Sequence, residues 1–255
     1  MSASTRQPMR PYRARHNVNQ HCFYAVMPAM SMTTDIEIFN QARYSPRRSW
    51  AWGKTVGVSK QKAAENREAI IAAAEGLFRE RGVDAVGLVE LMSAAGLTRG
   101  GFYNHFVSKD ALVDAVVAKA MADGFGNLDE AITASQAHGS DPLTEQIDWY
   151  LSPEHRADIE HGCPNTGFAG DARRLDPASR ARYAKGLAAN LDRFTQIVQA
   201  VGLDGGERRA RAIALFSEMA GALLLSRAVA DADPALSDEI LRSARADLRS
   251  RTGTA

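Results

Sequence analysis

Apolar residues recur with the period of an α-helix from about Ser59 onward, and this pattern predicts an all-helical fold. The first predicted helix carries apolar residues on one face at spacings i, i+4, i+7 and i+8, namely Ile70, Ala74, Leu77 and Phe78. Gly82 is expected to end this helix, because glycine readily adopts the left-handed backbone conformation found at helix C-termini. No stretch alternates for long enough to predict a strand.

Three further helices are predicted close behind the first one. A short helix over about residues 88–95 is ended by Gly96, and another short helix begins after Thr98, whose hydroxyl suits the N-cap position. Ser108 is expected to cap a longer helix with a broad apolar stripe. Four compact helices with a glycine at the tight turn between two short ones predict a helix-turn-helix domain over residues 54–121.

Residues 122–255 continue as helices that glycines and prolines, Gly124 among them, are expected to separate. Two of these helices are long, one from Pro177 to about residue 201 and one within 207–231. The second is apolar on nearly all sides, so it must be covered on most sides. The pattern therefore predicts a two-fold homodimer in which these two helices of each chain form a four-helix bundle.

Residues 1–53 differ from the rest because prolines interrupt them and no helical period persists. They carry seven arginines against Asp35 and Glu37, and we expect them to be a largely disordered basic segment. Two interpretations stay open. The segment is a basic arm that touches DNA, or it is a tail without a role, including residues foreign to the natural protein because translation starts later.

Composition supports a soluble protein with a large core. The chain has 255 residues, 45% of them hydrophobic, with a formal net charge of +1, and a chain of this size needs no metal or disulfide to hold its core together. Cys22 and Cys163 are too few for a disulfide framework and indicate a reducing cytoplasm. The longest strongly apolar run, Met219–Leu225, is shorter than the roughly 20 residues of a membrane span. We expect a cytoplasmic protein with no membrane partner.

The most specific signal lies between Leu91 and Lys109. In a helix-turn-helix, the second short helix enters the major groove while residues around it hold the phosphates. Tyr103, His105 and Lys109 supply a hydroxyl, an imidazole and an ammonium near the end of that helix, and no acidic side chain lies between Gly96 and Lys109. Taken singly, Tyr103 could equally be a packed aromatic ring and His105 a buried histidine with its hydrogen bonds satisfied.

The stretch from about Lys60 to Lys119 resembles the DNA-binding domain of the TetR family, the tetracycline-repressor-like bacterial regulators. The matching pattern is Ala95-Gly96-Leu97-Thr98, Gly100, Tyr103, His105-Phe106 and Ser108-Lys109, preceded by Leu77-Phe78 and Gly82. The resemblance implies a ligand-responsive transcriptional regulator, a repressor, that binds a palindromic DNA operator as a homodimer and is released by a small-molecule effector. It also implies that residues 122–255 form a ligand-binding and dimerisation domain, and that the chain is no enzyme and needs no cofactor.

The resemblance places the DNA-contacting residues on the second short helix and just after it. They are Thr98, Arg99, Gly100, Gly101, Tyr103, Asn104, His105 and Lys109. Arg99, Gly100, Gly101 and Asn104 occupy positions that face base edges in this family, and Tyr103, His105 and Lys109 occupy positions that hold phosphates. The chain departs from the family at Gly87, where many relatives carry Thr or Ser. Because two glycines offer no side chain, base reading is expected to rest on Arg99, which suits guanine, and Asn104, which suits adenine.

The effector pocket is predicted from aromatic and polar residues between the DNA-binding domain and the dimer helices, although each could instead be core packing. These candidates are Phe125, Trp149, Tyr150, Cys163, Phe168, Tyr183 and Phe194. Cys163 has three interpretations: a small buried residue, a redox- or electrophile-sensing thiol, or a metal ligand with His155 and His161. No metal site is predicted, since the spacing fits no standard zinc pattern. A cysteine-based enzyme and a helical interaction module are the alternatives from other classes.

Overall fold

The computed structural model describes residues 59–200 and 208–252, and the predictions for residues 1–53 lie outside them. Every regular element in these residues is helical, which confirms the all-α fold class. The helices are α1 Lys60–Arg81, α2 Leu88–Ala94, the 3-10 helix Arg99–Asn104 (the recognition helix), α3 Lys109–Ala137, α4 Pro142–Tyr150, α5 Pro153–Ala157, α6 Pro164–Gly167, α7 Ala169–Ala172, α8 Pro177–Ala200, α9 Arg208–Val229 and α10 Pro234–Thr252.

The first helix begins and ends where the sequence predicts. The Ser59 hydroxyl accepts a hydrogen bond from the backbone N–H of Lys62 at 3.1 Å, which satisfies one of the free donors at the helix start. Gly82 has a φ of +85° and its N–H donates to the Phe78 carbonyl at 2.9 Å. A residue with a Cβ would be strained at this φ, so glycine is the residue that suits the position.

The turn between α2 and the recognition helix also follows the prediction in outline. Gly96 has a φ of +70°, the left-handed conformation that the tight turn requires. The Thr98 side chain, however, makes no capping hydrogen bond, so that prediction is wrong. The helix that follows is a 3-10 helix, with Gly101 N–H donating to the Thr98 carbonyl at 3.0 Å. Its first turn contains Gly100 and Gly101, two poor formers of an α-helix.

Helix α3 is a single helix that runs through both of its glycines, although the sequence predicts an interruption at Gly124. Its start is capped as predicted, because the Ser108 hydroxyl accepts from Ala111 N–H at 3.1 Å. A Cβ at Gly124 would come within 2.5 Å of the Pro164 ring. Gly124 therefore does not end the helix but lets α6 pack closely against it.

Two clusters of buried apolar residues hold these helices together within one compact unit. The N-terminal core is formed by α1, α2, the recognition helix and the first half of α3, and Phe168 and Leu175 also belong to it. The C-terminal core is formed by the end of α3 with α4, α8, α9 and α10. Because α3 contributes to both, the two cores share one continuous helix across the boundary expected near residue 121.

Helix α9 has one face in the C-terminal core and another that nothing in the described residues covers. Met219 and Leu223 are fully buried against the rest of the chain, whereas Leu224 and Leu225 are 39% and 62% exposed. Helix α9 is also long and apolar enough to span a bilayer, with a mean hydropathy of 1.5 over an 18-residue window that is 33% buried. Core and interface helices of soluble proteins pass the same test, so this is weak evidence for a membrane span.

Candidate nucleic-acid interface and effector pocket

The recognition helix is anchored by two phenylalanines on its inner face. Phe102 and Phe106 are 1% and 4% exposed, and their rings stack with centroids 5.8 Å apart. The Arg67 guanidinium of α1 lies 4.7 Å from the centroid of the Phe106 ring, a cation–π contact on the same side. With its inner face fixed in this way, the helix can present its other face to a partner without rearranging.

The outer face carries most of the residues predicted to touch DNA. Thr98, Arg99 and Asn104 are exposed, and the Tyr103 ring is 69% exposed, so Tyr103 is not a core aromatic residue. His105 is half-buried at the end of the helix, where its backbone N–H donates to the Phe102 carbonyl. All of these side chains can donate hydrogen bonds, and no residue from Gly96 to Lys109 carries a carboxylate.

The two glycines of the recognition helix face in different directions. A Cβ at Gly101 would lie 3.7 Å from the end of the Met92 side chain, so this position faces α2. A Cβ at Gly100 would meet nothing within 4 Å. Neither glycine has a positive φ. Nothing in the described residues therefore requires glycine at position 100.

Lys109 is engaged inside the fold as well as being placed beside this surface. Its Nζ donates to the carbonyls of Val83 and Val86 at 2.6 and 2.7 Å, and it lies 5.9 Å from the centroid of the Phe78 ring. These bonds fix the loop between α1 and α2 against the start of α3. An ammonium has three donors, so one is left for a phosphate.

Two residues beside this surface were not singled out from the sequence. Val107, just after the recognition helix, is 87% exposed. An apolar side chain that exposed, between two residues of the DNA-binding motif, is suited to packing against sugar or a thymine methyl group. The second residue is Arg67 of α1. It lies far from Phe106 in the sequence, so the sequence does not indicate that the two are in contact.

The structure brings only some of the predicted effector residues together. Tyr150 and Phe194 both pack against Phe216, a residue the sequence did not single out, with ring centroids 6.0 and 5.9 Å apart. Phe168 lies in the N-terminal core, and Phe125 is 37% exposed on α3. Phe168 and Phe125 therefore do not join the aromatic group around Tyr150.

Trp149 lies on the outer side of a stack that leads inward to Cys163. The Trp149 and His155 rings stack with centroids 4.2 Å apart, and His155 is buried. The Nε2 atom of His155 accepts a hydrogen bond from the Cys163 backbone N–H at 3.0 Å, while Nδ1 pairs with the Tyr150 carbonyl at 2.8 Å. Burial lowers the pKa of His155 from 6.5 to about 4, so its ring is neutral at pH 7.

The Cys163 thiol is partly exposed, and two buried polar atoms near it make no ordinary hydrogen bond. The Tyr150 hydroxyl lies beside the thiol and the Thr166 side chain, yet it makes no hydrogen bond of ordinary geometry. Burial, with a smaller contribution from Cys163, raises the pKa of Tyr150 well above its usual value. Asn165 donates its Nδ2 to the Cys163 sulfur at 3.5 Å, and its Oδ1 is buried without a partner.

Tyr183 closes the same region from α8. Its hydroxyl donates to the Asn165 carbonyl at 2.7 Å, and burial, with a smaller contribution from Cys163, raises the pKa of Tyr183 to about 12. Of the predicted effector residues, Tyr150, Cys163 and Tyr183 therefore meet around Asn165. Among the described residues no group of three or more His, Cys, Asp or Glu is placed to hold a metal ion.

The segment around Cys163 is tied directly to α1. The Arg79 side chain is buried, donates its NH1 to the Gly162 carbonyl at 2.7 Å and pairs with Glu75 at 2.5 Å. The Arg79 guanidinium also lies 5.6 Å from the centroid of the Phe168 ring, and burial lowers the pKa of Arg79. Gly162, the residue before Cys163, is thus bonded to the C-terminal end of α1, the helix before α2 and the recognition helix.

A second tie fixes the turn that leads into α2. The carboxylate of Asp171 accepts the Val83 backbone N–H at 3.3 Å and lies 3.5 Å from the position of a Cβ on Gly82. Asp171 is buried and pairs with Arg174 at 2.5 Å. The segment 162–171 is thus bonded to Arg79 in the last turn of α1 and to Val83 in the turn that follows it.

The sequence of the helix-turn-helix decides which family the chain comes from. Residues 70–116, which include α2 and the recognition helix, match the family described as bacterial regulatory proteins, tetR family. The helix-turn-helix of this chain belongs to the TetR family. This confirms the resemblance that the motif indicates, and it favours a regulator over the cysteine-enzyme alternative, because the related proteins are regulators.

The curated proteins similar to this chain include two named repressors. The HTH-type transcriptional repressor BepR of Brucella suis is 45% identical over 62 residues, which are 24% of this chain and 30% of BepR. The HTH-type transcriptional repressor NemR of Escherichia coli is 23% identical over 142 residues, 56% of this chain and 71% of NemR. The match to BepR thus spans less than a third of that relative's length.

Solved structures resemble this chain over most of their own length. The reduced form of E. coli NemR matches with a TM-score of 0.61 at 23% identity, covering 73% of this chain and 97% of that one. A TetR transcriptional regulator from Legionella pneumophila matches with a TM-score of 0.61 at 21% identity, covering 72% and 96%. At these identities the likeness shows a shared fold, including the helical body that follows the helix-turn-helix.

Proposed function

We propose that this protein is a transcriptional repressor that binds a palindromic DNA operator as a homodimer and is released by a small-molecule effector. The outer face of the recognition helix carries the proposal. Arg99, Tyr103 and Asn104 are exposed there, while Phe102 and Phe106 hold the inner face rigid. Arg99 reads a base, and the Tyr103 hydroxyl, His105 and the remaining donor of Lys109 hold phosphates.

The homodimer is supported by the uncovered face of α9. Ile213, Leu224 and Leu225 are apolar and 39% to 62% exposed, and a Cβ at Gly221 would meet nothing within 4 Å. Exposed apolar side chains on one long helix are covered in solution by a partner surface, and small residues let a second helix approach closely. The partner is a second copy of the chain, whose two recognition helices then enter successive major grooves.

The effector binds in the region where Tyr150, Cys163 and Tyr183 meet. Its aromatic walls, with Phe194 and Phe216 behind Tyr150, suit a small and mostly apolar molecule. The segment 162–171 links this region to α1 through Arg79 and to the turn after α1 through Asp171. If the effector weakens DNA binding by some factor, DNA must weaken effector binding by the same factor.

DNA binding is tested with the full chain and labelled duplex from upstream of its own gene, by fluorescence anisotropy. Arg99→Ala should cost about 1–3 kcal/mol per half-site at one base position, and the sequences selected from a random pool should lose their preference there. Arg180→Ala, an exposed arginine on α8, is the matched control and should change neither. No binding of upstream or selected DNA by the unaltered chain would overturn the proposal, and reduced affinity with an unchanged selected sequence would make Arg99 a phosphate contact.

A further inference from the structure

Cys163 combines a nucleophile with unsatisfied hydrogen-bonding groups in one place. The thiol is partly exposed. Tyr150 beside it is 3% exposed, yet its hydroxyl makes no hydrogen bond of ordinary geometry. The Asn165 Oδ1 is a second partnerless atom, on a residue that is 4% exposed. Burying such a group costs free energy unless something pairs with it. Two of them around one thiol indicate a polar ligand for this site.

Two cationic side chains act on the Cys163 sulfur. The Arg79 and Arg227 guanidinium groups both interact with Cys163 through their charge. The Arg227 NH2 atom also donates to the His155 carbonyl at 2.6 Å, which fixes it in place. A negative charge that moves from the sulfur to an atom nearby is therefore stabilised throughout the movement.

We propose that Cys163 binds α,β-unsaturated ketones and aldehydes covalently, with the Tyr150 hydroxyl donating a hydrogen bond to their carbonyl oxygen, and that the adduct releases DNA. This rests on the proposed repressor function and names the chemical class of its effector. The ligand supplies the acceptor that Tyr150 lacks and an electron-poor carbon for the thiol.

The reaction is an addition that needs no oxidant and has no leaving group. The thiol loses its proton to water, and the thiolate forms an S–C bond to the β-carbon of the enone. The electron pair of the C=C bond shifts so that the carbonyl oxygen becomes an enolate oxygen, which the Tyr150 hydroxyl stabilises by a hydrogen bond. A proton from water then reaches the α-carbon. The product is a thioether with an intact carbonyl, and one enone is consumed per thiol.

An adduct on Cys163 would act on the DNA-binding helices through the neighbouring residue Gly162. The backbone there is tightly packed and is bonded to α1. A Cβ at Gly162 would lie 2.5 Å from the Asp158 carbonyl and 2.9 Å from both the Arg227 and His155 side chains. The Gly162 carbonyl accepts the 2.7 Å hydrogen bond from Arg79 of α1. New atoms on the Cys163 sulfur therefore displace a segment that holds the end of α1, and packed elements respond by shifting as units.

The test uses the full chain and cyclohex-2-en-1-one, with cyclohexanone as the control compound because it has the same ring without the C=C bond. Intact mass spectrometry measures adducts, and fluorescence anisotropy with upstream duplex measures the affinity for DNA before and after treatment. Cys22→Ser is the matched control for Cys163→Ser, since the chain has two cysteines. Thermal melting establishes that each variant is folded.

We expect the enone to add to Cys163 and to weaken DNA binding about tenfold or more in the native chain and in Cys22→Ser. Cys163→Ser should show less than about a twofold change. Tyr150→Phe should slow the addition about tenfold or more, because it removes the donor to the enolate oxygen. Tyr183→Phe, whose hydroxyl is already bonded to the Asn165 carbonyl, should slow it much less.

Three results would overturn this inference while leaving the repressor proposal intact. The first is that cyclohexanone releases DNA from the native chain as well as the enone does. The second is that the enone fully releases DNA from Cys163→Ser. The third is that hydrogen peroxide releases DNA from the native chain whereas the enone does not. If Cys163→Ser does not fold, the addition rates of Tyr150→Phe and Tyr183→Phe decide, and equal rates would contradict the site. Failure of the untreated chain to bind DNA at all is a separate result, which counts against the proposed function.

Discussion

Lys109 bonds inside the fold, and in the proposed function it also contacts DNA. Its ammonium bonds to the Val83 and Val86 carbonyls and has one donor left for a phosphate. We expect Lys109→Ala to weaken binding to all DNA sequences about equally and to lower the salt slope by about one unit per half-site. Anisotropy at several salt concentrations measures both quantities.

The same substitution should also lower the free energy of unfolding by about 1–3 kcal/mol, because two carbonyls lose a charged donor. Urea titration measures this, with Lys185→Ala on α8 as the control. A stability loss with an unchanged salt slope would mean that Lys109 only positions the loop and does not touch DNA.

His155 makes stability depend on pH in a defined window. Its pKa is about 4 in the folded chain because burial disfavours the charged ring, against about 6.5 when unfolded. Between these values the unfolded chain binds more protons, so this contribution is fully present above pH 6.5 and is lost as the pH falls towards 4. The loss should reach about 2 kcal/mol at pH 5.

Urea titrations of the native chain and of His155→Gln at pH 7 and pH 5 test this linkage. The difference between the two pH values should be smaller in the variant by about 2 kcal/mol, since glutamine does not titrate. An identical pH dependence in both chains would show that His155 is not the group responsible.

Single residues also show how far the sequence can be interpreted alone. The helix end at Gly82 and the cap at Ser108 were predictable because each depends only on neighbours in the chain. The partners of Lys109 were not, since Val83 and Val86 lie more than 20 positions away and are bound through their backbone. Backbone carbonyls carry no sequence signal, so a lysine of this kind looks the same as a free one.

At the scale of elements, the recognition helix has a glycine, Gly100, whose surroundings in the described residues do not require glycine. A Cβ at Gly100 would meet nothing, and Gly126 in the middle of α3 has equally open surroundings. We expect alanine at either position to stabilise the chain by up to about 1 kcal/mol, because glycine is the poorer helix former. Only Gly100→Ala should weaken DNA binding, since its methyl group enters the outer face.

Melting temperature and DNA affinity of the two glycine variants decide the matter. Gly126→Ala is the internal control for the propensity effect. If both variants bind DNA as well as the native chain does, Gly100 does not lie at the DNA interface. The outer face of the recognition helix would then not be the surface that contacts DNA at this position.

Helix α3 shows where local sequence misleads at this scale. Glycine at position 124 is a sound signal for a break, and the helix continues because packing against Pro164 favours a residue without a side chain. The sequence also misled in grouping the predicted effector residues. Phe168 and Tyr150 are both buried aromatics, but they lie in different cores, and burial alone does not say which.

At the scale of the whole molecule, the two faces of α9 make the dimer testable. Leu225→Asp places a charge on the exposed face, and we expect it to separate the dimer and to reduce DNA binding at micromolar concentration. Leu236→Asp, on an exposed leucine of α10, is the control and should leave the dimer intact. Light scattering measures the mass, and a native chain that is monomeric at this concentration would contradict the homodimer.

Leu223→Asp gives the contrasting result. This leucine is fully buried in the core of its own chain, so aspartate there should unfold the protomer by leaving an unpaired charge inside. Circular dichroism separates this loss from dissociation. The sequence alone indicated that α9 is apolar on most sides, but it could not say which leucines face the protomer's own core.

The unbroken course of α3 has a consequence for rotational phase. Each residue of an α-helix turns the chain by about 100° and advances it by about 1.5 Å. Helix α3 carries the DNA-binding helices at one end and packs into the body at the other. A single residue inserted near its middle would turn the recognition helix away from its groove, whereas four inserted residues would nearly restore its facing about 6 Å further out. An insertion in α3 therefore keeps the facing of the recognition helix best when its length is close to a whole number of helical turns.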